Sequence, residues 1–111
     1  MANNIYTDIK RITCFLPKGA GIHLVEVLHD EKNIDSTSVH TGRGLRTVAS
    51  VKDYRGWIEQ DVLTVVVDAE RADEIFAFIF FKGKLDKPGG GFMYQTSLTK
   101  ASRDSIPTME V

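Results

Sequence analysis

The chain has 111 residues, 42% of them hydrophobic and 26% charged, and fourteen Lys and Arg against fifteen Asp and Glu leave a net charge of −1. One ordinary soluble domain is expected, which excludes two independent catalytic domains. The balanced charge also argues against general binding to nucleic acid or to acidic membrane. No apolar run approaches the roughly 18 residues of a membrane span, and Met1-Ala-Asn-Asn-Ile5 has neither a basic n-region nor an apolar h-region, so a cytoplasmic location is expected. The single cysteine, Cys14, has no intrachain disulfide partner and lies in an apolar segment, where it reads as a small buried hydrophobe. A domain of this size buries only about 60 to 65% of the surface its unfolded chain exposes, so oligomerisation would add useful burial.

Lys10-Arg-Ile-Thr-Cys-Phe-Leu16 is β-branched and apolar over a short length and predicts a strand, broken by Pro17-Lys-Gly-Ala-Gly21. Ile22, Leu24, Val25, Val27 and Leu28 cover most of a helix with Glu26, Asp30, Glu31 and Lys32 as its polar side, and Asn33 closes it. Ser36 to Thr41 predicts a second strand ending at Gly42. Residues 42–60 have no clear periodicity but carry Arg43, Arg46, Lys52 and Arg55 beside Tyr54 and Trp57, which marks a long loop. Asp61 to Val67 alternates too little for a half-solvated strand and is expected to be central, covered by a helix on one face and another subunit on the other. Asp68 is a candidate N-cap for a helix whose Ala72, Ile75, Phe76, Ile79 and Phe80 follow i, i+3, i+4, i+7, i+8 spacing. Gly83 is expected to end it as a left-handed C-terminal cap, and residues 83–91 form a second loop. Phe92 to Leu98 alternates again, with Phe92, Tyr94, Thr96 and Leu98 on one face of a last strand. A polar tail, 101–111, completes the chain.

Strand, helix, strand, loop, strand, helix, strand is the ferredoxin-like βαββαβ order, an α+β fold with a four-stranded antiparallel sheet under two helices. Such a scaffold does not fix function. Soft-metal carriage needs a cysteine pair that is missing, and His23, His29 and His40 do not repeat at a ligand spacing, so no metal site is expected. RNA reading on the sheet needs aromatics on central strands, and Val62 to Val67 has none. No placed nucleophile and base stand out, so no catalytic residue is assigned. What remains is glycine with cations. Gly42-Arg-Gly-Leu-Arg46 and Gly83-Lys-Leu with Gly89-Gly-Gly91 let backbone approach an anion, with Lys84 and Lys87 as point charges and Lys100 with Arg103 as a third pair. Phosphate is the natural guest.

These residues resemble the PII signal-transduction superfamily over residues 8 to about 104, as a PII-like protein with a shortened, modified T-loop. Val39-His-Thr-Gly-Arg-Gly44 resembles the strand leading into the T-loop, here 42–60. Asp53-Tyr-Arg-Gly56 resembles the Tyr-Arg-Gly within that loop, and Ala72-Asp-Glu-Ile-Phe with Gly83-Lys-Leu and Gly89-Gly-Gly91-Phe resembles the second helix and the B-loop, here 83–91. The resemblance implies a homotrimer that binds adenine nucleotide (ADP, AMP or ATP) in intersubunit clefts and regulates a partner through the T-loop. By position it implies nucleotide contacts at Ser36, Gly42, Arg43, Gly44, Val66, Gly83, Lys84, Gly89, Gly90, Gly91, Lys100 and Arg103, the last two supplied by a neighbouring subunit.

Trp57-Ile-Glu-Gln60 follows Tyr-Arg-Gly where typical members carry a modifiable Tyr or Ser, about six residues are missing before the next strand, and Leu45-Arg46 replaces the Arg-Gln pair that helps hold magnesium and 2-oxoglutarate. Such loop variants imply other duties, including control of a membrane transporter or a cytoplasmic enzyme and the handling of inorganic carbon. Arg43, Arg46 and Lys52 are then candidates for a second anion such as bicarbonate, and Tyr54, Arg55 and Trp57 for the partner contact. The expected activity is therefore sensing, with the loop ordered by nucleotide. The alternatives are a nitrogen-status PII that senses 2-oxoglutarate, a slow nucleotide phosphohydrolase, and a metal-tolerance relative resembling the CutA proteins.

Overall fold

The computed structural model describes residues 5–6, 8–44 and 58–102. Their elements run β1 (Ile5–Tyr6), β2 (Ile9–Pro17), α1 (Ala20–Lys32), β3 (Thr37–Gly44), β4 (Ile58–Asp68), α2 (Ala69–Lys82), β5 (Phe92–Leu98) and β6 (Ala101–Ser102). The four long strands form one antiparallel sheet in the order β3-β4-β2-β5, and β1 pairs with β6 as a short ribbon that the sequence did not announce. The fold is the expected ferredoxin-like one.

Period-two alternation sorts the sheet's two faces. Ile12, Cys14 and Leu16 of β2 and Leu63, Val65 and Val67 of β4 turn toward the helices, where Leu24 and Leu28 of α1 and Ala72, Ile75 and Ile79 of α2 close the core. Burial pushes the Cys14 thiol up to about 12, in keeping with an inert core side chain. Between the helices, Glu74 accepts from Lys32 at 3.0 Å and from Arg71 at 3.4 Å, and Arg71 also donates to the Lys32 carbonyl at 3.3 Å. These exposed ties fix the crossing more than they add stability.

The opposite face of the sheet carries Phe15, Phe92 and Tyr94, with ring centroids 6.0–6.4 Å apart, beside Val62, Thr64 and Val66. Among the described residues no helix covers it: Phe92 is 62% exposed, and Val62, Thr64 and Val66 are half-buried. Among the described residues of one chain, the helices cover β4 on one face, as expected, and the other face is the one expected to meet another subunit.

Three local expectations change. The strand expected to stop at Gly42 continues through Gly44, and β4 starts at Ile58 rather than Asp61, because the ladder Gly42↔Gln60, Arg43↔Glu59, Gly44↔Ile58 needs only backbone groups. Asp68 occupies the N-cap of α2 without a side-chain hydrogen bond; the amide of Ala69 donates instead to the Asp8 carbonyl at 3.0 Å. Gly83 closes α2 at φ −85°, in the ordinary right-handed region. Space demands glycine there, since a Cβ would stand 2.7 Å from Leu85 Cδ1 and 2.9 Å from the Ile79 carbonyl oxygen. The left-handed turn falls one residue later, on Lys84.

Candidate functional site

The turn from β2 into α1 has no capping side chain of its own: Gly19 at the N-cap is left-handed at φ 94°, and the first turn holds no acid. The exposed helix amides are met from far along the chain. Asp61, on β4 and 1% exposed, accepts from the amide of Gly19 at 2.9 Å and of Gly21 at 2.8 Å through Oδ2, and from the Thr41 hydroxyl at 2.6 Å through Oδ1. Burial pushes this carboxyl up, but the Thr41 hydroxyl, the two glycine amides and the nearby Lys18 outweigh it and hold it below its ordinary value. Gly21 has to be glycine, as a Cβ would lie 2.9 Å from Asp61 Oδ2 and 3.0 Å from Val39 Cγ1. Two residues before Asp61, Glu59 accepts from Lys18 Nζ at 2.9 Å. The N-terminus of α1, a natural anion seat, is therefore filled by the chain's own carboxylate.

At this same end of the sheet lies the 83–91 loop. Leu85 anchors it in the core, the amide of Leu85 donates to the Phe80 carbonyl at 2.9 Å, and the amides of Lys87 and Gly90 close successive turns at 3.1 and 3.0 Å. The backbone packs so tightly that a Cβ on Gly90 would stand 2.1 Å from the Lys84 carbonyl oxygen, and one on Gly91 would stand 2.2 Å from that of Phe15. Lys84 is exposed and left-handed at φ 61°, an unfavourable conformation for lysine, while Lys87 pairs with Asp86 at 3.8 Å. Pairing of Gln60 with both Gly42 and Pro17, and of Phe15 with Phe92, sets the 42–44 strand end and the 83–91 loop at one end of the sheet.

Ser36, Val66 and Lys100 lie elsewhere. Ser36 pairs with Val66, its hydroxyl donating to the Val66 carbonyl and its own carbonyl accepting the Val66 amide at 3.0 Å. Ser36 precedes β3 and stands six positions before Gly42, about 20 Å at a strand's rise. Lys100 follows the Ile9↔Leu98 pair at that second end. One chain thus sets Gly42, Arg43 and Gly44 on one outer edge and Gly83, Lys84, Gly89, Gly90 and Gly91 on the other outer edge of the same sheet end, with β4 and β2 between them, and leaves Ser36, Val66 and Lys100 at the opposite end. Arg46, Lys52, Tyr54, Arg55, Trp57 and Arg103 lie outside the described residues.

Sequence reasoning missed Asp61, Thr41, Lys18 and Glu59. A signal was present: Asp61 shares the inward parity of Leu63, Val65 and Val67, and a carboxylate at such a position requires donors. Among the described residues no three His, Cys, Asp or Glu side chains gather as metal ligands, and no helix is long and apolar enough to cross a membrane.

No family model matches the chain, and no curated protein does. Solved structures do. The chain is similar to Arabidopsis thaliana PII bound to citrate at a TM-score of 0.65 and 13% identity, over 84% of this chain and 79% of that one. It is similar to a DUF3240 family protein from Shewanella baltica at 0.62 and 9%, over 84% and 92%. A B. subtilis GlnK–ATP complex aligns at 0.60 and 15%, over 82% of each chain. The fold is PII-like.

Proposed function

We propose that this chain is a PII-like regulatory protein and not an enzyme: a homotrimer that binds adenine nucleotide between subunits and signals through the 42–60 loop. The observation that carries this reading is that the 42–44 strand end and the 83–91 loop occupy the same end of the sheet, on its two edges, in a fold also found in a GlnK–ATP complex. Phosphates lie along the 83–91 backbone with Lys84 as their cation, and the base reaches toward Ser36 and Val66. The separation of about 20 Å between the two residue groups supports a cleft built from more than one copy, with Lys100 and Arg103 contributed by a neighbour. The uncovered face with Phe15, Phe92 and Tyr94 supports assembly through the sheets. Arg43, Arg46 and Lys52 take a second small anion, bicarbonate, and Tyr54, Arg55 and Trp57 meet the regulated transporter or enzyme in the cytoplasm.

Lys84 gives the test. A lysine in the left-handed region costs roughly 1 to 2 kcal/mol, a strain understandable if its ammonium serves a ligand. Lys84→Gly is expected to raise stability by about 1 kcal/mol while weakening ATP about ten- to a hundredfold, the loss of a charge-assisted hydrogen bond. Lys84→Ala should lose the same affinity without the gain in stability. Thermal unfolding and titration calorimetry on the three proteins read both quantities; unchanged ATP affinity in Lys84→Gly would remove Lys84 from the site.

A further inference from the structure

Gly42 and Gly44 have no side chain to pack, so at these two positions the strand end proposed to flank the phosphates is held by its backbone ladder. The ladder beyond Thr41↔Asp61 runs only three more pairs, to Gly44↔Ile58. The side-chain anchor just before those pairs is the Thr41 hydroxyl on Asp61, at 2.6 Å, and the same carboxylate holds the β2–α1 turn through the Gly19 and Gly21 amides. The Lys18–Glu59 ion pair ties turn and hairpin again, but it is exposed and correspondingly weak.

We infer that Asp61 and Thr41 are positioning residues for the nucleotide cradle: the buried carboxylate clamps the β3–β4 hairpin stem to the α1 turn and so sets where Gly42 to Gly44 stand. The inference rests on the cradle reading above. Neither residue touches the ligand. Both act through the backbone they fix, since a strand end displaced by even one ångström no longer matches the phosphate it is proposed to flank.

Thr41→Val keeps the shape and β-propensity of the side chain and removes only the hydroxyl. It is expected to weaken ATP about tenfold and to speed amide exchange at Gly42 to Gly44 by a similar factor, while the melting temperature falls by no more than about 5 °C. Thr41→Ser, which restores a hydroxyl, is expected to bring both values back to within about twofold of the parent. Asp61→Asn, which keeps acceptor capacity toward the glycine amides, serves as the second variant and should also loosen the Gly42 to Gly44 amides. A merely structural hydroxyl would lower the melting temperature and leave ATP affinity and exchange within twofold, and that result overturns the inference. If the parent chain itself binds no ATP, the cradle reading fails separately. Exchange at Gly42 to Gly44 then decides: unchanged rates in both variants overturn the clamp, and accelerated rates keep it as the device that sets the hairpin stem.

Discussion

Replacing Asp61 with alanine is expected to cost about 3 kcal/mol, the loss of three hydrogen bonds that leaves the buried Gly21 amide without its acceptor. For a domain of this size that lowers the melting temperature by roughly 10 to 15 °C. The effect depends on pH with a definite sign. Because the folded carboxyl is held below its ordinary value, it adds stability that is complete above the unfolded value of about 3.9 and disappears as pH falls through the folded one. The parent should therefore lose melting temperature from about pH 5 downward more steeply than Asp61→Ala, and the two curves should converge in acid. Parallel curves across that range would show that the carboxylate is not held as described.

The second large effect concerns assembly. Tyr94 stands on the uncovered face, in ring contact with Phe15 and Phe92, and is 38% exposed within a single chain. Tyr94→Glu should leave the single chain folded, because no core contact is lost. It should also convert the proposed trimer to monomer, because each copy would bury an unpaired charge in an aromatic contact. Sedimentation equilibrium reads the outcome as a threefold fall in mass. A trimer that survives the substitution, or a parent that is itself monomeric, would contradict assembly through this face.

The sequence made the helices and strands readable where apolar spacing and burial agree. In α2, Ala72, Ile75 and Ile79 are buried as their spacing predicts, and Asn33 closes α1 in the left-handed region with its amide on the His29 carbonyl at 3.2 Å. Reading failed where backbone bonds or distant partners decide. Glycines at 42 and 44 look like a break, yet a hydrogen-bonded ladder passes through both. Asp68 has the right side chain for a cap, but the Ala69 amide already has the Asp8 carbonyl. At Gly83 the residue type was read as a dihedral requirement when the constraint is the packing of Leu85 and Ile79.

For the candidate site, the glycine and lysine clusters were legible as separate motifs, and their placement at the same end of the sheet, on its two edges, follows from a strand register that spacing does not encode. The separation of Ser36 and Val66 from the 83–91 loop is likewise a consequence of strand length. Asp61 was hidden in plain sight, since its partners, Gly19, Gly21 and Thr41, are 42, 40 and 20 residues away.

Titration calorimetry of the parent chain with ATP, ADP and AMP, each with and without bicarbonate, tests the central claim most directly. The account predicts micromolar binding of an adenine nucleotide at one site per chain, tightened by the second anion through coupling between the two sites. Absence of heat with every nucleotide, in a protein shown to be folded, would leave the PII-like fold in place and contradict the sensing function assigned to it.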